Sequence, residues 1–123
     1  MPSENRKVMM LDDNILSLMI AEDVLTKSGY EVVKLTATHG WAAKLDYERP
    51  DVLLVDVTMP RLPVDDLIDT VEGSGDHEDL AVVLYADLDA AELERMCKER
   101  DLNGYFCKSM DIRKLPEFVD QFF

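Results

Sequence analysis

Residues 52–60 read Val-Leu-Leu-Val-Asp-Val-Thr-Met-Pro. Four apolar residues run into a single carboxylate, Asp56. The run is too short for a helix and rich in Val and Leu, so it reads as a strand over 52–56, buried on both faces. Such a strand implies a parallel sheet with helices on either side. In sheets of this kind ligands sit just beyond the carboxyl ends of the strands. Asp56 stands at that end, and Pro60 soon stops the ladder.

Upstream, 7–11 (Lys-Val-Met-Met-Leu) is a second short apolar run, and it ends in Asp12-Asp13. Asn14 or Asp13 caps the helix that follows. Ile15, Leu18, Met19, Ala21 and Leu25 make its apolar stripe, and Ser28-Gly29 ends it. Met9, Met10 and Met19 read as core filling. Residues 31–35 (Glu-Val-Val-Lys-Leu) form a strand, and Lys34 within it marks a sheet edge. A helix opening at Thr38 or His39 runs through Trp41, Ala42 and Leu45 and stops near Arg49-Pro50. Trp41 reads as a packing residue and His39 as a surface one.

Downstream, Pro60 and Pro63 bracket a stiff loop. Val64, Leu67, Ile68 and Val71 follow at i, i+3, i+4 and i+7, the spacing of an amphipathic helix. Residues 73–79 (Gly-Ser-Gly-Asp-His-Glu-Asp) read as a mobile acidic loop, with His77 in it and no metal role. Residues 80–85 (Leu-Ala-Val-Val-Leu-Tyr) form a fourth strand, ending in Ala86-Asp87. A helix over 90–100 turns Leu93, Met96 and Cys97 inward, and Asn103-Gly104 is a turn. Residues 105–107 form a short fifth strand with Lys108 at its end. Ile112, Leu115, Val119 and Phe122 space a last helix. Pro116 fits it only in the first turn, so the helix starts near Leu115 or begins irregularly.

Five strands alternating with five helices predict βαβ units and a parallel sheet. Right-handed crossovers then set the first strand beside the second and third. The 123 residues make one ordinary domain, so 1–123 is expected to be a single one. A 47% hydrophobic content suffices for a core. The net charge of −13 argues against binding a nucleic-acid backbone or an anionic membrane, and it attracts cations. Cys97 and Cys107 lack metal-like spacing. With no signal peptide read at the start, a reducing cytoplasm is expected. No apolar run approaches the ~18 residues of a membrane helix.

The strand ends supply a constellation. The first gives Asp12 and Asp13, the third Asp56, the fourth Ala86 and Asp87, and the fifth Lys108. If the first and third strands are neighbours, three carboxylates converge on one pocket. Like charges that close push protonation upward unless a cation sits among them. Mg²⁺ suits, since it takes one or two carboxylates plus water and phosphate oxygens. A carboxylate so placed can also be a nucleophile toward phosphorus. Each piece alone is common. The joint pattern is specific: Asp-Asp after the first strand, Asp-x-x-x-Pro after the third, Lys after the fifth.

On Asp12-Asp13, Asp56 with Met59-Pro60, Gly104-Tyr105 and Lys108, the chain resembles the receiver domains of two-component response regulators over essentially its whole length. The resemblance implies a flavodoxin-like, doubly wound five-stranded sheet of order 2-1-3-4-5 flanked by five helices. It implies that Asp56 accepts a phosphoryl group from the phosphohistidine of a histidine kinase or phosphotransfer protein, without the chain being an ordinary enzyme. It implies that Asp13, Asp56 and the Thr58 backbone carbonyl bind Mg²⁺ directly, with Asp12 acting through water. Lys108 is then the partner of Asp56 and of the phosphoryl oxygens. Tyr105 occupies the switch-aromatic position, and a downstream protein partner is expected on a face that includes Leu93, Met96, Tyr105 and Phe118.

Two residues depart from the family pattern. Ala86 stands where a Thr or Ser hydroxyl bonds the phosphoryl group, and a lost hydrogen bond to a charged group is worth about 1.5–3 kcal/mol. That matches a typical allosteric coupling of roughly 1–3 kcal/mol, so chemistry at Asp56 can persist while transmission weakens. Tyr85 should point to the other face of the strand. Ser109 replaces a Pro whose preceding bond is commonly cis, so a trans bond is expected. The competing reading is a degenerate receiver that binds a protein partner independently of phosphate. A haloacid-dehalogenase-type phosphohydrolase needs a second Asp two residues after the first, where Thr58 stands. A flavin site needs a Ser/Thr/Gly-rich loop after the first strand, and none follows.

Overall fold

A computed structural model describes residues 6–36, 40–58, 64–74, 77 and 79–123. Five parallel strands, β1 (Lys7–Leu11), β2 (Glu31–Leu35), β3 (Val52–Val55), β4 (Ala81–Ala86) and β5 (Gly104–Cys107), make one sheet of order β2-β1-β3-β4-β5. Between them run α1 (Ile15–Lys27), α2 (Trp41–Glu48), α3 (Val64–Ser74) and α4 (Ala90–Arg100). A 3₁₀ turn over Ile112–Lys114 leads into α5 (Leu115–Asp120). Pro116 sits in the first turn of α5, where its missing N–H costs nothing. The expected doubly wound sheet, with Lys34 on an edge strand, is the observed one.

Strand alternation splits the core into two layers. Val8, Met10, Leu54, Val83, Tyr85 and Phe106 face α1 and α5. Met9, Leu11, Leu53, Val55 and Val82 face α2 and α3, and Leu84, Ala86 and Cys107 face α4. Each fully buried Leu or Val contributes roughly 1.5–3 kcal/mol. Trp41 packs on the α2 side, as expected of a packing residue. Gly29, at φ 93°, ends α1 in a conformation that glycine adopts freely.

Several local expectations change. In α1, Leu18, Ala21 and Leu25 are buried, but Ile15 is 63% and Met19 56% exposed. At 100° per residue they lie about 90° and 130° from the centre of the buried stripe. They join Leu16 and Ile20 on the outer surface. β3 stops at Val55, which frees the Asp56 side chain for the loop. β4 runs one residue later than its expected start and end, because Ala81 N–H donates to Asp51 and Lys108 N–H to Ala86. β5 includes Gly104, paired with Val83. α3 continues through Gly73 to Ser74, since one Gly costs a helix only about 1 kcal/mol.

His77, from the stretch expected to be a loop, has partners on both its side chain and its backbone. Its side chain is almost fully covered and lies 2.8 Å from Asp46 of α2, and its carbonyl accepts from Leu80 N–H. Leu93 is fully buried, so it presents no surface side chain on the expected output face, whereas half-buried Phe118 packs against Phe106 and Phe122 and lines a surface groove together with Tyr105. Thr38, His39, Met59, Pro60, Pro63, Asp76 and Glu78 lie outside the described residues. No cis peptide bond occurs among the described residues, so Ser109 follows a trans bond. No helix among the described residues is long and apolar enough to cross a membrane.

Candidate functional site

The sheet places the site residues. Asp56 N–H donates to Leu11 at 2.9 Å and Asp12 N–H to Leu35 at 3.1 Å, extending the parallel ladders one step past the strand ends. Asp12 and Asp56 therefore leave adjacent strands at the same level. One oxygen each of Asp12, Asp13 and Asp56 lies within 4.8 Å of the others. Asp12 is fully buried, Asp56 almost so, and Asp13 is exposed at the mouth. Asn14 caps α1 by accepting from Ser17 N–H, and its own N–H donates to Asp12 at 2.9 Å.

Lys108 enters from β5, its ammonium 2.6 Å from Asp12 and 2.9 Å from Asp56. Sequence reasoning paired it with Asp56 alone; the shared grip on Asp12 follows from β1 and β3 being neighbours. The other Asp56 oxygen accepts the Thr58 N–H at 2.9 Å and the Thr58 hydroxyl at 2.6 Å. That hydroxyl bond was missed, although a Thr two residues past an Asp at a strand end is a known turn signal.

The protonation of the cluster follows from these bonds. Burial pushes Asp12 above the ordinary carboxylate range, and the Lys108 and Asn14 hydrogen bonds only partly offset it. Burial pushes Asp56 the same way, but the Thr58 hydroxyl and N–H with the Lys108 ammonium outweigh it and hold Asp56 below that range. Burial works against the Lys108 charge, yet its bonds to Asp12 and Asp56 keep it above an ordinary lysine. Asp56 is thus held as the anion, the form a nucleophile needs. Three carboxylates against one ammonium leave the pocket negative, and its ligand atoms are all oxygen. That donor set fits a hard divalent cation such as Mg²⁺, with exposed Asp13 leaving room for retained waters.

Ala86 ends β4 fully buried, packed with Leu84, Leu93, Cys97 and Cys107. Tyr85 turns to the opposite layer, as strand alternation expects. Its ring nevertheless approaches the site, with its centroid 5.2 Å from the Lys108 ammonium. Tyr105 is half-exposed on β5, its hydroxyl 3.4 Å from Glu94 of α4. Asp87 is exposed beyond β4.

Comparison with known proteins comes out in the same direction. The family model described as the response regulator receiver domain matches residues 8–120. The chain is 37% identical over 59 residues to the chemotaxis protein CheY of Thermotoga maritima, covering 46% of this chain and 48% of that protein. It is 31% identical over 61 residues to the hybrid signal transduction histidine kinase C of Dictyostelium discoideum, covering 50% of this chain and 5% of that one. The chain thus spans about half the length of the first relative and a small part of the second. The solved structure of chemotaxis protein CheY4 of Vibrio cholerae superposes with a TM-score of 0.84 at 21% identity. It covers 97% of this chain and 99% of that one, a likeness of fold.

Proposed function

Because the chain belongs to the response regulator receiver domain family, a signalling module of two-component systems and not a classical enzyme, we propose that Asp56 is its phosphoacceptor. One observation carries this reading: Asp56 is held anionic at the strand end by Thr58 and Lys108, beside two further carboxylates. A phosphohistidine of a histidine kinase or phosphotransfer protein is the donor. An Asp56 oxygen forms a bond to phosphorus as the bond from phosphorus to the imidazole nitrogen breaks; that nitrogen keeps the electron pair, and the ring, which already carries a proton on its other nitrogen, leaves as neutral imidazole. Lys108 then moves its hydrogen bond from Asp56 to a phosphoryl oxygen, while its contact to Asp12 persists. Asp13, Asp56 and the Thr58 carbonyl would hold Mg²⁺, with Asp12 acting through water. Bound there, the ion supplies positive charge against the phosphoryl oxygens.

The exposed apolar side chains of Leu16 and Ile20 on α1, with Met110, line the groove that also contains Lys108, so they offer a donor protein a footing at the pocket mouth. Half-buried Met96, Tyr105 and Phe118 remain on the face available to a downstream partner. We read residues 1–123 as one receiver domain acting in the cytoplasm, where its two free cysteines stay reduced.

A second reading rests on Ala86. It offers no hydroxyl at the end of β4, which favours a receiver that binds its partner independently of phosphate. Radiolabelled transfer from a phosphorylated kinase separates the two. Label on the wild type but not on Asp56→Asn supports the phosphoacceptor. No label on either leaves the binding module.

A further inference from the structure

We propose that Tyr85 is a positioning residue for Lys108, an aromatic platform that keeps the ammonium aimed at Asp56. This rests on the reading of Asp56 as phosphoacceptor. The register of β4 and β5 pairs Tyr85 with Phe106, and Lys108 lies two residues beyond Phe106. Side chains two apart on a strand share a face, so the lysine stem leaves the sheet on the side of Tyr85, not of Ala86. The ammonium comes to 5.2 Å from the Tyr85 ring centroid, within the roughly 6 Å at which a ring face attracts a cation.

The platform is fixed. Tyr85 is 2% exposed, its ring stacks on Phe106 at 6.1 Å, and Ser17 of α1 faces its hydroxyl. The ammonium has three N–H donors, and Asp12 and Asp56 take two of them. When an arriving phosphoryl group displaces the contact to Asp56, the Asp12 contact remains. One hydrogen bond leaves an ammonium free to swing about it. Beside Lys108 lies a groove of about 380 Å³ that has the Tyr85 side chain in its wall, with Ser17, Met110 and Ile112 among its other lining residues, and the ammonium has room to swing out into it. The Tyr85 ring holds the ammonium against its own wall of the groove, and it does so without competing for the phosphoryl oxygens, because it accepts no directional hydrogen bond of comparable strength. An aliphatic residue at position 85 would keep the site apolar, fill it only in part and supply no such attraction.

The test compares Tyr85→Phe, Tyr85→Leu and Tyr85→Met, so that one poorly folded variant does not decide it. The first readout needs no phosphorylation. The Cε protons of Lys108, assigned with Lys108→Gln, are expected upfield in the wild type and in Tyr85→Phe, displaced by the ring current. They should return to the ordinary lysine position in Tyr85→Leu and Tyr85→Met. The second readout is the rate of phosphorylation by acetyl phosphate with Mg²⁺. It should stay near wild type in Tyr85→Phe and fall about two- to five-fold in the aliphatic variants. Unchanged Lys108 protons in Tyr85→Leu and Tyr85→Met overturn the proposal. So does an equal loss of rate in Tyr85→Phe, which would assign the effect to the hydroxyl. A wild type that takes no phosphoryl group refutes the phosphoacceptor reading alone, and the Lys108 protons still decide the platform.

Discussion

Asp56 has both carboxylate oxygens engaged, one by Thr58 and one by Lys108, before any ligand arrives. Lys108→Ala would leave Asp12 and Asp56 buried together without a cation. Breaking a buried pair in this way costs about 3 kcal/mol, read as a lower urea midpoint at neutral pH. The pH dependence has a definite sign. The Lys108 value is raised above that of an unfolded lysine, so its pairing stabilises the fold fully below the ordinary lysine range. That stability is lost as pH climbs through the raised value, and Lys108→Ala should lack this alkaline loss. At Ala86, the prediction concerns transmission. Ala86→Thr supplies a hydroxyl at the end of β4, and methyl-sized growth in a packed site costs about 1–3 kcal/mol. With beryllofluoride and Mg²⁺, amide shifts in the wild type should stay near Asp13 and Asp56. In Ala86→Thr they should extend to Tyr105 and α4. Equal spread in both proteins would show that the hydroxyl is not the limiting element.

At the level of elements, the α4–β5 seam is closed by a buried thiol. Cys97 donates from Sγ to the Gly104 carbonyl at 3.1 Å, and burial pushes its pKa up to about 11. The thiolate is the reactive form, so alkylation of Cys97 in the folded protein at pH 8 should be far slower than after unfolding in urea. Alkylation at equal rates in both states would place the thiol outside the seam. The C-terminus of α4 carries a different strain. Asp101 caps it at φ 55°, a left-handed conformation that L-residues adopt at a cost. Asp101→Gly should raise stability by about 0.5–1 kcal/mol in urea unfolding. The strands and α4 were legible because short apolar runs, turn residues and helical spacing act locally. The outward side of α1 was not, since Ile15 and Met19 are apolar yet lie off the stripe that meets the sheet. The Thr58 hydroxyl bond, the double grip of Lys108 and the approach of Tyr85 also escaped the sequence. Each depends on which strand ends lie side by side and which way their side chains turn, and those are facts of register.

The whole molecule is strongly acidic, with a net charge of −13, and its site concentrates three carboxylates at one end of the sheet. Mutual repulsion there destabilises the fold, and a cation bound among them offsets it. Millimolar Mg²⁺ is therefore expected to raise the melting temperature by a few degrees, and Asp13→Asn should abolish most of that gain. A gain of equal size in Asp13→Asn would mean that the ion acts on the diffuse surface charge instead.

Phosphoryl acceptance at Asp56 is tested most directly by intact-mass spectrometry after incubation with acetyl phosphate and Mg²⁺. The wild type should gain the mass of one phosphoryl group, with the group mapped to Asp56 after borohydride trapping, and the gain should vanish in Asp56→Asn. A wild type whose mass does not change, or a gain that persists in Asp56→Asn, would contradict it.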